Sequence, residues 1–565
     1  MKPNDVILNL YPDSIGSSLG NAVEWLHEPA LAGVFSLCYV LPSLFRSDLD
    51  RGFSVVAYEL DEQMAREADL AHLRGLGMEL KLDLVVNHLS ARSPQFQDLL
   101  DNGAESRYRE MFVDWNEFWA RRGEPNDDGC VIPEPACLYQ MFMRKPGLPV
   151  LRVRCGDGSN RFYWNTFYQR VSHRRLNGSD MASLKQIDPS AISLVPVINQ
   201  AIEQGTDVAR TVRDRYPDGA AEVLDYLDQH CVTYEGQIDL DADSPMTWEF
   251  YENAISTLTR FGASVIRLDA FAYLHKEAGR TNFLNEPETW DYLDRLRAMA
   301  AKYDAVVLPE IHARYKDGTH CKLARQGHMF YDFFLPGLIL HAIETGNAAY
   351  LKRWIEEVVR CGYRTVTMLG CHDGIPLLDL EGFLATTSIE QLVSLVVERG
   401  GRIKNIFSAA GRRISYYQVN ATYFSALGED TRKLLLARAL HIFSPGTPQV
   451  WYLDLFAGVN DNRAADLRGH KEINRSGLDP DVARERLAER VVSEQLDLIR
   501  LRRTHPAFGE GARLQVSDAA DGTVSIVWTN GVHKVELAAD LAAVTYSIRM
   551  TPGEAADEQA DRLRR

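Results

Sequence analysis

Eight short apolar runs, alternating with stretches of helical periodicity, constrain this chain more than any other feature. They lie at 6–11, 33–41, 79–87, 264–271, 305–312, 329–335, 365–370 and 449–456. Between several of them apolar residues recur every three or four positions, as at 247–261 and 289–303, which is the spacing of one helix face. Strands that alternate with helices over such a length predict an α/β chain, a (β/α)8 barrel of parallel strands. In that fold the pocket is built at the carboxyl ends of the strands. Four runs end there on chemistry: LKLDLVVNH at 80–88, VIRLDAF at 265–271, VVLPEIH at 306–312 and MLGCHDG at 368–374. They supply three acids, Asp269, Glu310 and Asp373.

Two gaps break the alternation. The stretch from Asn87 to Ser264 is far longer than one crossover helix needs. The expected organisation is therefore a barrel at 1–90 and 241–504 with an inserted domain at 91–240. Within that domain 172–236 reads as largely helical, with candidate helices at 191–204 and 220–230. A smaller insertion at 374–420 follows the seventh strand. After a last helix near 480–502, alternating polar and apolar residues predict a small β domain at 505–552, and the charged tail at 553–565 is expected to fray.

With 565 residues and a net charge of −16, the chain lacks the basic excess that phosphate-backbone binding requires, which argues against nucleic acid and against an anionic membrane surface. No apolar run is long enough to span a bilayer, and 5–10 reads as a strand rather than a leader, so a cytoplasmic location is expected. Eight cysteines without a CxxC pair form no disulfide framework and speak against a zinc site; Cys371 reads as a structural thiol.

On a strand alternate side chains share a face, so Arg267 falls beside Asp269 and His312 beside Glu310. An arginine next to an aspartate keeps it ionised, as a nucleophile requires, and burial next to an anion raises the pKa of a general acid. Asp269 is thus the expected nucleophile and Glu310 the expected acid, with Asp373, His88 and His372 gripping sugar hydroxyls. Two carboxyl groups about 5 Å apart run glycoside cleavage with retention.

The four segments resemble the signature regions of glycoside hydrolase family 13, the α-amylase family. A fuller resemblance is to its sucrose phosphorylase branch. It rests on Asp50-Arg51-Gly52-Phe53, His372-Asp373-Gly374-Ile375-Pro376, the run at 418–427, the run at 444–452, Ala457-Gly458-Val459-Asn460-Asp461 and Glu472-Ile473-Asn474-Arg475. The resemblance implies a retaining α-glucoside phosphorylase that yields α-glucose 1-phosphate, with inorganic phosphate as co-substrate, no cofactor and no required metal. A hydrolase or transglucosylase of the same family is the alternative. It further implies that Asp50, His88, Arg267, His372, Asp373 and Arg475 bind the glucosyl ring. Phe53 and Phe167 would wall it off from water, and Tyr273, His312 and Gln418 would handle phosphate and the leaving group.

Against the branch pattern, Gly370-Cys371 replaces the usual Asp-Thr, and Ser415 stands where an aspartate of the fructose-recognising loop is usual. Four nearby residues, Arg144, Lys145, Arg413 and Tyr417, are candidate contacts to the acceptor or to phosphate. The acceptor stays open among fructose, fructose 6-phosphate, glycerol and glycerate. The expected partners are small molecules, an α-glucoside and phosphate, and a homodimer is left open.

Overall fold

The computed structural model describes residues 1–407, 413–517 and 520–551, with 404–407 and 413–418 in backbone only. Eight parallel strands form its centre: β1 (Ile7–Leu10), β2 (Leu37–Val40), β3 (Glu79–Val85), β4 (Ala263–Asp269), β5 (Val306–Pro309), β6 (Phe330–Asp332), β7 (Thr365–Thr367) and β8 (Thr447–Trp451). Consecutive strands pair in parallel from β1 to β5 and from β6 to β8, and β8 closes back onto β1. Only β5 and β6 are not joined by a ladder, so the barrel is nearly closed.

Each expected run overlaps one of these strands, but every strand ends before its run does. The 449–456 run leaves the sheet after Trp451 and turns into the helix Tyr452–Leu455. The 329–335 run stops at Asp332, whose Oδ1 accepts from the backbone N–H groups of Phe334 (3.1 Å) and Leu335 (2.9 Å) and opens the helix Leu335–Thr345. The 33–41 run pairs only from Leu37. In each case an unbroken apolar run is equally compatible with strand or buried helix, and periodicity alone cannot place the change.

The barrel interior is polar in the layer below the pocket. Lys81 on β3 is fully buried and donates to the Tyr331 hydroxyl (2.6 Å) and Gln449 Oε1 (2.7 Å). Its ammonium also lies over the rings of Tyr39 (4.2 Å) and Tyr331 (4.6 Å). Burial holds its pKa well below the ordinary lysine value.

Between β3 and β4, the strand Val232–Asp239 pairs antiparallel with both His88–Ser90 and Gln169–His173. The connection from His173 to Val232 carries the helices Gly178–Ile187, Val195–Gln204, Val208–Arg215 and Ala220–His230. Leu184, Ile198, Val212, Val223 and Leu227 bury one another in a core separate from that of the barrel. A different cluster, around Trp115, Trp119 and Trp164, packs the remainder of this region. After β7 come the helix Thr386–Glu398 and the antiparallel pair Arg402–Phe407 and Arg413–Asn420. The C-terminal strands Arg513–Val516, Thr523–Asn530, His533–Asp540 and Thr545–Met550 form an antiparallel sheet, anchored where Trp528 Nε1 donates to the Phe443 carbonyl (2.8 Å).

Arg174 N–H donates to the Cys231 carbonyl (2.8 Å), so the two ends of the helical excursion already sit side by side. Replacing 175–230 by a short Asn-Gly turn is expected to leave a folded barrel, because that excursion supplies its own core. A single cooperative thermal transition with retained glycosyl transfer checks this; loss of the folded barrel would show that the helices support it.

Candidate active site

The acids collect where β4, β5 and β7 end. Asp269 is the last residue of β4, Glu310 follows β5, and Asp373 lies in the turn after β7. Together with Asp50, His88 and His372 they line one pocket. Its apolar wall is Phe53 and Phe167, and Tyr273 and Arg144 close its side. The Arg144 guanidinium lies 5.5 Å from the Phe167 ring centre and 5.6 Å from that of Tyr273.

Backbone conformations that side chains rarely adopt position several of these groups. Asp50 and Arg51 have φ of 48° and 50°, and Gly52 follows at 109°. A Cβ at Gly52 would stand 2.1 Å from the Ser43 backbone nitrogen, so only glycine allows the turn that brings Asp50 and Phe53 to the pocket. Gly374 plays the same part beside Asp373, since a Cβ there would meet the Val419 carbonyl oxygen at 2.4 Å. Ala270, directly after Asp269, is also left-handed (φ 52°), and its N–H donates to Glu310 Oε2 (3.2 Å).

One guanidinium organises the acids. Arg267 Nη1 contacts Asp269 Oδ1 (2.9 Å) and Asp83 Oδ1 (2.5 Å), and Nη2 contacts Glu310 Oε1 (2.8 Å). The His312 imidazole lies 3.7 Å from the same Glu310 oxygen and 2.9 Å from Asp379 Oδ2. Burial works against a charged His312, but Asp379 and Glu310 overcome it and raise its pKa to about 9.

The two acids meet different surroundings in the ligand-free site. Burial would raise Glu310, yet Arg267 and the His312 imidazolium hold it below the usual carboxylate range. Burial raises Asp269 well above that range; Arg267 opposes the rise, while the charges of Glu310 and Asp83 add to it. Strand parity put Arg267 next to Asp269, but it could not show that the same cation spans the strands to Glu310.

The third acid has its own cations. Asp373 Oδ1 meets Lys471 Nζ (2.8 Å) and Arg475 Nη2 (3.3 Å), and Arg475 Nε donates to the His372 carbonyl (2.8 Å). Burial opposes ionisation of Asp373, but Lys471 and Arg475 hold its pKa well below the ordinary value. Burial also drives His372 down to about 3, so it is neutral. The pKa of His88 is likewise lowered by burial, and its Nε2 donates to the Phe53 carbonyl (3.0 Å).

Lys145, a candidate acceptor or phosphate contact, does not line this pocket. Its ammonium is turned to Asn165 and Gln169, and burial pushes its pKa down to about 8. The side chains of Arg413, Tyr417 and Gln418 lie outside the described residues. Sequence reasoning missed Lys471, Asp83, Asp379 and Lys276. Lys81 and Asp83 did carry a signal, as charged residues inside an otherwise apolar strand, and Lys471 directly precedes the 472–475 motif. Lys276 Nζ contacts Asn87 Oδ1 (3.0 Å), Asp239 Oδ2 (3.0 Å) and the Tyr273 carbonyl (2.9 Å). An ammonium thus stands among the oxygens around Asn87 where some amylases hold calcium.

A barrel with paired acids at the ends of β4 and β5 defines a carbohydrate-active enzyme. No family model matches the chain. It is 47% identical over 555 residues to a sucrose 6(F)-phosphate phosphorylase from Ilumatobacter coccineus, covering 97% of this chain and 95% of that one. It is 30% identical to an enzyme of the same name from Thermoanaerobacterium thermosaccharolyticum, covering 95% of each. The crystal structure of sucrose 6F-phosphate phosphorylase from Thermoanaerobacter thermosaccharolyticum superposes with a TM-score of 0.79 at 29% identity, covering 98% of this chain and 96% of that one. An α-amylase from H. orenii shares the fold alone (TM-score 0.59, 14% identity, 96% and 90% covered). The chain belongs to the sucrose phosphorylase branch of glycoside hydrolase family 13. It is an α-glucoside phosphorylase, which takes inorganic phosphate as co-substrate and needs no cofactor for the transfer.

The His312–Asp379 pair gives a pH test. Because His312 is raised on folding, its contribution to stability is complete below the unfolded histidine pKa of about 6.5 and disappears as pH rises through about 9. Burial raises Asp379 itself, so the net gain is less than the ~3 kcal/mol that the His312 shift alone implies. Asp379→Asn is expected to flatten this loss, measured by urea unfolding between pH 6 and pH 9.5; an unchanged slope would show that the pair does not control His312.

Proposed function

We propose that the glycoside cleaved is sucrose bearing a phosphate on its fructosyl unit, by double displacement through Asp269 and Glu310. The observation that carries the reaction is the single Arg267 guanidinium, bonded at once to Asp269 and Glu310 beneath a pocket walled by Phe53 and Phe167. The phosphorylated acceptor is supported by the names of the relatives at 47% and 30% identity and by Arg144 at the pocket side.

Asp269 attacks the anomeric carbon while Glu310 protonates the departing oxygen. Asp373, ionised between Lys471 and Arg475, grips ring hydroxyls together with His372 and His88, and favours the oxocarbenium-like transition state. A bound phosphate group next to His312 offsets the positive charge that depresses Glu310, which favours the protonated form the general acid needs. In the second half-reaction phosphate takes the glucosyl unit from Asp269, and the phenyl walls keep water away. The pocket admits phosphate near Arg144 and His312, where charge-assisted hydrogen bonds favour it over water. The alternative of a hydrolase or transglucosylase is not favoured, since the curated relatives are named phosphorylases. Among the described residues no helix is long and apolar enough to cross a membrane. Phosphorolysis keeps the bond energy in a sugar phosphate, which supports a cytoplasmic enzyme. Whether it acts as a homodimer is a question for the solution mass.

Incubation with α-glucose 1-phosphate and each of fructose 6-phosphate, fructose, glycerol and glycerate, following phosphate release, tests the assignment. Fructose 6-phosphate is expected to be the preferred acceptor; equal or faster release with fructose would refute the phosphorylated acceptor. Arg144→Ala is expected to lower kcat/KM for fructose 6-phosphate by roughly 10- to 100-fold, the loss of about 1.5–3 kcal/mol from a charged hydrogen bond. Its effect with fructose should be small. Asp269→Asn should abolish turnover with every acceptor.

A further inference from the structure

Away from the pocket, a second constellation lies between the helices Thr319–Arg325 and Ala349–Cys361, which follow β5 and β6. His320 is 6% exposed, and neither ring nitrogen has a hydrogen-bond partner. Its ring stacks on Tyr315 (5.0 Å between centres) and meets Phe334 and Trp354 edge-on. A polar group left unsatisfied in such surroundings is unfavourable.

That ring faces two other donors. Nε2 lies 3.7 Å from Glu357 Oε1, too long for a hydrogen bond. Glu357 is fixed from its other oxygen, where Oε2 accepts from the Tyr315 hydroxyl (2.8 Å). The neighbouring Cys321 Sγ lies 3.2 Å from the Tyr363 hydroxyl, which also reaches Glu357 Oε1 at 3.5 Å. One donor atom each from His320, Cys321 and Glu357 all fall within 4.8 Å of one another. Cys361 comes one helical turn after Glu357, on the same face, and its thiol is exposed.

Donors about 2.0–2.3 Å from one tetrahedral ion stand about 3.3–3.8 Å apart, a range that holds the imidazole–carboxylate separation of 3.7 Å. Nitrogen, sulfur and oxygen together select a borderline ion and exclude calcium and magnesium, which require oxygen sets. We propose that His320, Cys321 and Glu357 form a zinc-class metal site. Binding forms a metal–sulfur bond as the Cys321 proton leaves to solvent; no electron is exchanged. The site ties the segment that continues from Glu310 and His312 to the helix Ala349–Cys361, so it is a structural pin, not part of the catalytic pocket. The sequence hid it because its ligands come from two helices and form no CxxC spacing.

The test uses the full chain, free of any tag and stripped with a chelator. Zinc chloride is titrated by calorimetry with metal counted by mass spectrometry, and cobalt(II) is followed by absorbance. One zinc per chain and a cobalt–thiolate charge-transfer band are expected for the wild type. Cys321→Ser should abolish the band, and both Cys321→Ser and Glu357→Gln should weaken zinc binding by about tenfold or more. Retained phosphorolysis in both variants shows that they fold. Absence of the band in the wild type overturns the site. So does zinc binding by the variants as tight as by wild type, which would place the ion elsewhere, for example at His275, Glu277 and Glu288.

Discussion

A single buried arginine sets the terms for everything around it. Arg267 is 2% exposed and shares its guanidinium among Asp83, Asp269 and Glu310, so two of its three partners are the acids proposed to react. Charges buried at this depth are tolerated only when paired, and removing one partner from such a group costs about 3–5 kcal/mol. The layer below reflects that demand. Asp83 also accepts from the Tyr39 hydroxyl (3.0 Å), and Lys81 is held by Tyr331 and Gln449. Five of the eight strands thereby contribute side chains to one polar network.

The rest of the site divides the charge in a way that suits two-step glycosyl transfer. Asp373 is held ionised by Lys471 and Arg475, cations that also contact Asp50 and Glu472. Asp269 and Glu310 share one cation, Arg267, and His312, kept cationic by Asp379, adds a second positive charge beside Glu310. Arg144, stacked at the side of the same pocket, adds positive charge on the path of an anionic acceptor.

Much of this was legible in the residues. The apolar runs located all the barrel strands, and the acids at their ends located the pocket, because strand parity and barrel topology leave few places for such groups to go. Parity also paired Arg267 with Asp269 correctly. It failed at Glu310, where the relevant cations come from another strand and from His312, and at Lys145, whose ammonium is drawn to Asn165 and Gln169 in the inserted region. Boundaries failed where an apolar run passes from sheet to helix without a change in pattern, as after Trp451 and Asp332.

By itself the sequence determined the barrel, the identity of the three acids and the sugar-transferring chemistry, since these follow from local periodicity and from residue types at strand ends. Which cations serve Glu310, which serve Asp373, and the meeting of His320 with Glu357 were decided only by the tertiary structure. Those properties depend on distances between residues far apart in the chain, and the electrostatic energy of a buried charge is set by such distances and by burial.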